Sequence, residues 1–166
     1  GKWYRGYKNL YLLCASAFAS ADSNIIDCFK NKSFKWGYIT EVRKYEEMYT
    51  LLNKKSKGTP VISILWVARL IKWKHPEYAI FVAKSLKEQG YKFTMNIIGN
   101  GELENYIKEL IYQQNLGDCV KMLGAMSPDL VRDYMESSDI FLFTSDQNEG
   151  WGAVLNESMN SACAVV

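Results

Sequence analysis

Asn148-Glu149-Gly150-Trp151-Gly152-Ala153-Val154-Leu155-Asn156-Glu157 is a turn containing two glycines, with a glutamate on either side, and its surroundings fix what kind of turn it is. Ahead of it, Asp139-Ile140-Phe141-Leu142-Phe143 is a short apolar run of β-favouring residues, while Trp151, Val154, Leu155, Ser158, Met159 and Ala162 recur behind it at helical spacing. The segment therefore reads as strand, turn, helix. A helix start leaves backbone N–H groups unpaired and carries partial positive charge, and glycine lets a ligand approach that backbone closely. A phosphate or a sugar hydroxyl suits such a corner. Eight helical steps would separate the two glutamates by about 10 to 12 Å, beyond the roughly 5 to 9.5 Å at which two carboxylates share one glycosidic bond. Glu149 and Glu157 are thus expected to grip opposite ends of an elongated ligand by accepting hydrogen bonds from hydroxyls. The alternative is that Glu149 complements the helix dipole and Glu157 is a solvated flank residue.

Further out, Pro60 to Ala68 (PVISILWVA) is an almost unbroken apolar strand that runs into Arg69-Leu70-Ile71-Lys72-Trp73-Lys74 before a helix starting near Pro76. Helices near 76–89, 102–115 and 128–137 alternate with strands near 92–98, 119–123 and 139–143, and Ser127-Pro128 supplies a capping hydroxyl and a first-turn proline. Such alternation predicts an α/β fold with a doubly wound, mostly parallel sheet. Ligands of open α/β sheets bind at the carboxyl ends of the strands, where Arg69 and Lys74 are placed. Arg69 offers a fork to two phosphate oxygens and Lys74 a point charge, against the plainer reading of a solvated basic loop.

Taken together these signals resemble the C-terminal half of family 4 glycosyltransferases, the retaining GT-B enzymes that move a sugar from a nucleotide donor. Ala68-Arg69-Leu70 with Lys74 stands where that family has a strand, Gly-Arg-Leu and a lysine five residues after the arginine. Ile97-Ile98-Gly99-Asn100-Gly101-Glu102 matches its strand ending in Gly-x-Gly, and Val120-Lys121-Met122-Leu123-Gly124 its valine-initiated strand closing in Leu-Gly. Its glutamate-x7-glutamate segment is matched by Glu149 to Glu157, so four signals agree in order over roughly residues 60–166. The resemblance implies a Rossmann-like donor domain in which Arg69 and Lys74 hold the diphosphate. Glu149 and the amides of Gly150, Trp151 and Gly152 would hold the sugar, and Glu157 the ribose. Met122, Leu123 and Gly124 would lie against the base, with Gly99, Gly101 and Val154 completing the donor contacts. Glu149, Arg69 and Lys74 are the expected catalytic groups.

The same resemblance implies metal-independent hexosyl transfer with retention and no cofactor beyond the nucleotide-diphosphate sugar, Arg69 and Lys74 taking the place of a divalent ion at the leaving group. Partners would be the nucleotide sugar and a glycan or lipid-linked acceptor of polysaccharide synthesis. A cytoplasmic setting at the inner face of the membrane follows, with any peripheral membrane association through a domain outside this stretch. One departure stands out: the family continues its helix as Glu-Ala-Met-Ala-x-Gly-x-Pro-Val, whereas Glu157-Ser158-Met159-Asn160-Ser161-Ala162-Cys163-Ala164-Val165 lacks both glycine and proline. A turn needing positive φ at Ala162 would be strained.

The first 59 residues read less clearly. Leu10–Ala15 is expected as a strand, Asp22–Lys30 as a helix, Phe34–Ile39 as a second strand and Glu41–Lys55 as an amphipathic helix, with Lys54, Lys55 and Lys57 forming a solvated helix end. Asn31 to Ile39 is similar to the interdomain crossover of polysaccharide-synthesis members, which divides the chain into a remnant of an acceptor domain over 1–33 and a donor domain over 34–166. Because the sequence closes on Ala162-Cys163-Ala164-Val165-Val166, an apolar strand without a polar tail, and family members run to about twice this length, a truncated piece is expected.

Composition sets limits. With 166 residues, 48% of them apolar, the chain suffices for one ordinary core. A net charge of +2 lacks the strongly basic face that nucleic-acid binding requires. Cys14, Cys28, Cys119 and Cys163 have no paired spacing, so neither a zinc site nor a disulfide framework is expected. Gly99-Asn100-Gly101 lacks the third glycine of a dinucleotide fingerprint. His75, the only histidine, reads as a loop residue with no nucleophile placed beside it. A nucleotide-sugar epimerase on the same fold and a non-catalytic α/β binding domain remain open alternatives at this level.

Overall fold

The expected alternation is present in the computed structural model, which describes residues 7–16, 18–37, 42–46, 48–56 and 60–166. Residues 1–40 and 41–166 form two compact units. In the first, Leu12–Cys14 (β1) pairs in parallel with Ser33–Lys35 (β2), and Ala19–Ile25 (α1) connects them. The helix is earlier and shorter than Asp22–Lys30. Asp27, Phe29 and Asn31 all take left-handed backbone, which ends it, and the Ser16 hydroxyl accepts from the Ala19 N–H at its start. Residues 38 and 39 of the expected second strand lie outside the described residues.

The second unit begins with Met48–Ser56 (α2) and continues Ile62–Val67 (β3), Pro76–Glu88 (α3), Phe93–Ile98 (β4), Glu104–Gln113 (α4), Val120–Gly124 (β5), Pro128–Ser137 (α5), Ile140–Phe141 (β6), Ala153–Asn160 (α6) and Ala164–Val165 (β7). All strand pairs are parallel, in the order β5-β4-β3-β6-β7. From β3 the chain steps outward through β4 to β5, then returns to the other side of β3 for β6 and β7. The direction of winding therefore reverses between β3 and β6, and the carboxyl ends of those two strands flank the crevice where doubly wound sheets bind ligands.

Alternation along β3 explains the two layers. Ile64 and Trp66 join Ala79, Ile80, Met95, Ile97 and Ile107 beneath α3 and α4, while Leu65 joins Ile98, Met135, Phe141 and Cys163 beneath α5 and α6. Most element limits differ from the sequence reading by a residue or two, and those beside the two-glycine turn matter most. Only Ile140–Phe141 of 139–143 forms regular strand, although Leu142 and Phe143 still donate to the carbonyls of Leu65 and Val166, and α6 starts at Ala153 rather than Trp151.

The expected Glu41–Lys55 helix is corrected as well: residues 42–46 are not helical. Tertiary contacts override local preference there. The Arg43 N–H donates to the Asn160 side chain at 3.0 Å, and its guanidinium reaches Asp133 at 2.9 Å and Glu136 at 2.8 Å on α5. Nor is Lys55 a solvated helix end. Its ammonium donates to the carbonyls of Met135, Ser138 and Ser161 at 2.7 to 3.0 Å, which places a cation on the orphan carbonyls at the ends of α5 and α6. Lys57 lies outside the described residues.

After α6, Ala162 adopts φ 58°, the left-handed turn that the missing glycine would have eased. Ala162→Gly is expected to raise stability by about 0.5–1 kcal/mol, the relief of the Cβ clash outweighing the extra entropy of the unfolded chain. A urea titration with unchanged slope and a higher midpoint checks this, and an unchanged or lower midpoint contradicts it.

Candidate donor site at the switch-point crevice

Between β3 and α3 the chain forms the loop Ala68–His75, and between β6 and α6 it forms the loop 142–152; the two leave neighbouring strand ends toward opposite sides of the sheet. They meet across the crevice in an ion pair between Lys74 Nζ and Glu149 Oε2, with side chains only 13% and 21% exposed. Burial, and then the charge of Arg69, hold the Lys74 ammonium below its ordinary pKa. Two cations thus share one small region, Lys74 held by Glu149 and partly shielded from water. Arg69 is exposed, its guanidinium carbon 5.8 Å from the centre of the Trp73 ring.

The loops are joined by uncharged bonds as well. Thr144 Oγ1 donates to the Lys74 carbonyl at 2.5 Å and accepts from Trp66 Nε1 at 2.8 Å, so a core tryptophan fixes the threonine that fixes Lys74. The Asp146 N–H donates to the Trp73 carbonyl at 3.0 Å. Asp146 in turn shapes the bend before Glu149: its carboxylate accepts from the Asn148 N–H at 2.8 Å and its carbonyl from the Glu149 N–H at 3.0 Å. Glu149 therefore precedes α6 by four residues, and the two glutamates are not separated by eight helical steps.

Gly99 and Gly101 support the Arg69 loop from the side of β4. The Leu70 N–H donates to the Asn100 carbonyl at 2.8 Å and the Leu103 N–H to the Leu70 carbonyl at 3.0 Å, bringing the two backbones into direct contact. A Cβ on Gly101 would lie 2.4 Å from the Leu70 carbonyl oxygen. Gly152 has a different task. At φ 67° it precedes the first residue of α6, where a Cβ would meet the Phe143 ring at 2.8 Å. Gly150 meets no such restriction.

Glu157 sits farther along the same rim, lining a cleft of about 310 Å³ with Val67, Met126, Val131, Val154 and Arg132. Val67 is the last residue of β3, so this cleft and the Lys74–Glu149 pair open from the same strand end. Arg132 is 7% exposed; it donates to the Glu157 carbonyl at 3.1 Å and to the Asn160 side chain, tying α5 to the end of α6. Met122 and Leu123 pack against the core on opposite faces of the sheet, and Gly124 lies past a register shift in the β4–β5 pairing. Met126, rather than these three, lines the cleft. Trp151 is partly exposed, and Val154 both lines the cleft and packs on the second core layer. Among the residues that the sequence reading passed over, Arg43, Arg132, Thr144 and Asp146 now stand at this rim. Only Asp146-x-Asn148 carried a local signal, as a turn pattern.

The chain's relationships agree with this geometry. Residues 50–166 match the family described as glycosyl transferases group 1. The chain belongs to that family. It is 37% identical over 133 residues to the amylovoran biosynthesis glycosyltransferase AmsK of Erwinia amylovora, covering 77% of this chain and 32% of AmsK. It is also 35% identical over 117 residues to the putative colanic acid biosynthesis glycosyltransferase WcaL of Escherichia coli K12, covering 68% of this chain and 29% of WcaL. The chain thus spans about a third of the length of these relatives. Among solved structures, Staphylococcus aureus TarM superposes with a TM-score of 0.76 at 18% identity over 93% of this chain and 29% of TarM. HepE of Anabaena, crystallised with UDP and glucose, gives 0.68 at 19% identity over 93% of this chain and 43% of HepE. These likenesses establish the GT-B Rossmann-like fold of the group 1 domain. Among the described residues, no helix is long and apolar enough to cross a membrane and no cluster of potential metal ligands occurs.

Proposed function

We propose that residues 41–166 bind the nucleotide-diphosphate sugar of a retaining hexosyltransferase that extends a glycan or lipid-linked acceptor. The observation that carries this reading is the pairing of Lys74 with Glu149 across the switch-point crevice, with Arg69 beside it. A diphosphate entering there meets two cations of which one is short of solvent, and charge-assisted hydrogen bonds are strongest where water is scarce. Lys74 would exchange Glu149 for phosphate oxygens, leaving the glutamate to accept from sugar hydroxyls. The amides of Gly150, Trp151 and Gly152, just before α6, would donate to the sugar, and Glu157, which lines the adjoining cleft, would accept from ribose hydroxyls. Stabilisation of the departing diphosphate by Arg69 and Lys74 requires no protein nucleophile and no divalent ion.

Support for the donor class comes from HepE and TarM, whose crystal structures contain UDP, and support for polysaccharide synthesis from AmsK and WcaL. Closure over the donor by a second domain would exclude water, so this stretch alone is expected to bind donor without efficient turnover. Calorimetric titration with UDP and GDP tests the reading. One of the two is expected to bind, and Arg69→Ala to weaken it about tenfold through loss of one charge-assisted contact. Absence of binding by both nucleotides, or equal affinity in the variant, would count against the site.

A further inference from the structure

His75 does more than fill a loop. Its backbone is left-handed, φ 46° and ψ 54°, a region that disfavours any residue with a Cβ. Its ring is engaged at both nitrogens and on one face: Nδ1 lies 2.9 Å from Glu77 Oε1, Nε2 lies 3.3 Å from Asp146 Oδ2, and the ring stacks on Tyr78 at 4.8 Å between centres, 9° from parallel. With a carboxylate at each nitrogen, only the imidazolium donates at both; the neutral ring turns one lone pair toward a carboxylate. Glu77 belongs to the first turn of α3, whereas Asp146 belongs to the loop that carries Glu149.

We propose that His75 is a positioning residue for donor binding: clasped as an imidazolium between Glu77 and Asp146, it locks the loop bearing Lys74 to the loop bearing Glu149. The proposal rests on the donor-site reading above. The charged groups around it are Glu77 from α3, Asp146 from the 142–152 loop, and the neighbouring Lys74–Glu149 pair, with Arg69 and Lys72 on its own loop. The Thr144 and Asp146 backbone bonds across the same seam do not titrate near neutrality, and the chain has no other histidine. Glu77 first, and Asp146 after it, raise the His75 pKa above its ordinary 6.5. Asp146 is lowered, first by the Asn148 N–H and also by His75. A raised folded-state pKa means that the clasp is complete below pH 6.5 and is lost as pH rises through the raised value.

A single histidine gives a single pair of imidazole C–H NMR signals, so its titration is read without assignment. The ring is expected to titrate above 6.5 in the protein and to fall toward 6.5 in Asp146→Asn. A value at or below 6.5, or one unmoved by Asp146→Asn, overturns the clasp whether or not nucleotide binds. Its role is read from UDP and GDP titrations at pH 6 and pH 8.5. The nucleotide's own phosphate ionisation is common to all variants and cancels in the comparison. His75→Gln and His75→Gly are expected to bind about threefold to fivefold more weakly than the natural protein at pH 6, the scale of a partly exposed ion pair, and equally at pH 8.5. Equal affinities at pH 6 overturn the positioning role. If the natural protein binds neither nucleotide, the donor-site reading falls and this role with it, while the ring titration still reports the clasp.

Discussion

Gly99→Ala is expected to lower stability by about 3 kcal/mol or more, enough to unfold much of the population of a marginally stable domain. The added Cβ would lie 1.9 Å from the Ala68 carbonyl oxygen and 3.0 Å from its carbon, and Gly99 sits at φ 137°. No side-chain rotation relieves such a clash, because both partners are backbone. Both are also pinned by the sheet: the Ala68 N–H donates to the Ile98 carbonyl at 3.2 Å and the Gly99 N–H to the Gly124 carbonyl at 2.8 Å. Any escape moves Ala68 and Arg69 away from the crevice, so the variant that survives should also lose nucleotide affinity. Gly150→Ala is the control, since its Cβ would meet nothing within 4 Å. Thermal unfolding is expected to shift by roughly 10 °C or more for Gly99→Ala and by no more than a degree or two for Gly150→Ala. Equal melting of the two variants would show that the backbones do not touch as described.

What the sequence disclosed and what it withheld follow from the range of the interactions involved. The β3 strand was legible because Ile62 to Val67 is apolar but for Ser63, and α5 because Ser127 caps it with its own hydroxyl at 3.4 Å from the Leu130 N–H. Arg69, Lys74 and Glu149 could be placed at strand ends for the same reason: a strand–loop–helix pattern fixes which loop is at the carboxyl rim. Their pairing could not, because Lys74 and Glu149 meet only through the β3–β6 adjacency, a long-range feature of the winding. The same limit hid Arg43 and Lys55. Both lie in a segment whose local composition favours a helix, yet Arg43 is claimed by three acidic residues of α5 and Lys55 by carbonyls 80 to 106 residues away. The bend at Glu149 was obscured by helical spacing that continues backward past the true start of α6, so periodicity alone placed that start two residues early. Ala162 is the opposite case: a missing glycine was visible in the sequence, and the positive φ that makes it matter is present.

The sharpest separation between a resting ion pair and a working donor site comes from treating Lys74 and Glu149 unequally. Lys74→Ala is expected to weaken UDP binding about 100-fold, because it removes a cation that burial has left poorly solvated and therefore responsive to phosphate. Glu149→Gln is expected to act in the opposite direction on the same ligand. In the unliganded protein Glu149 already neutralises Lys74, and a bare nucleoside diphosphate has no sugar for the freed carboxylate to grip. Removing that carboxylate leaves Lys74 beside Arg69 without its anion, which destabilises the free domain by about 1–2 kcal/mol for a partly buried pair and favours the state in which phosphate supplies the missing charge. UDP should then bind Glu149→Gln a few-fold more tightly than the natural protein, while a UDP-hexose should lose the advantage that its sugar gains from Glu149. Calorimetry on the two variants and on the double variant closes a thermodynamic cycle. A purely structural salt bridge would make both single variants bind UDP worse to a similar degree, through a common disordering of the two loops. Opposite signs, by contrast, require that the diphosphate and Glu149 compete for one ammonium group.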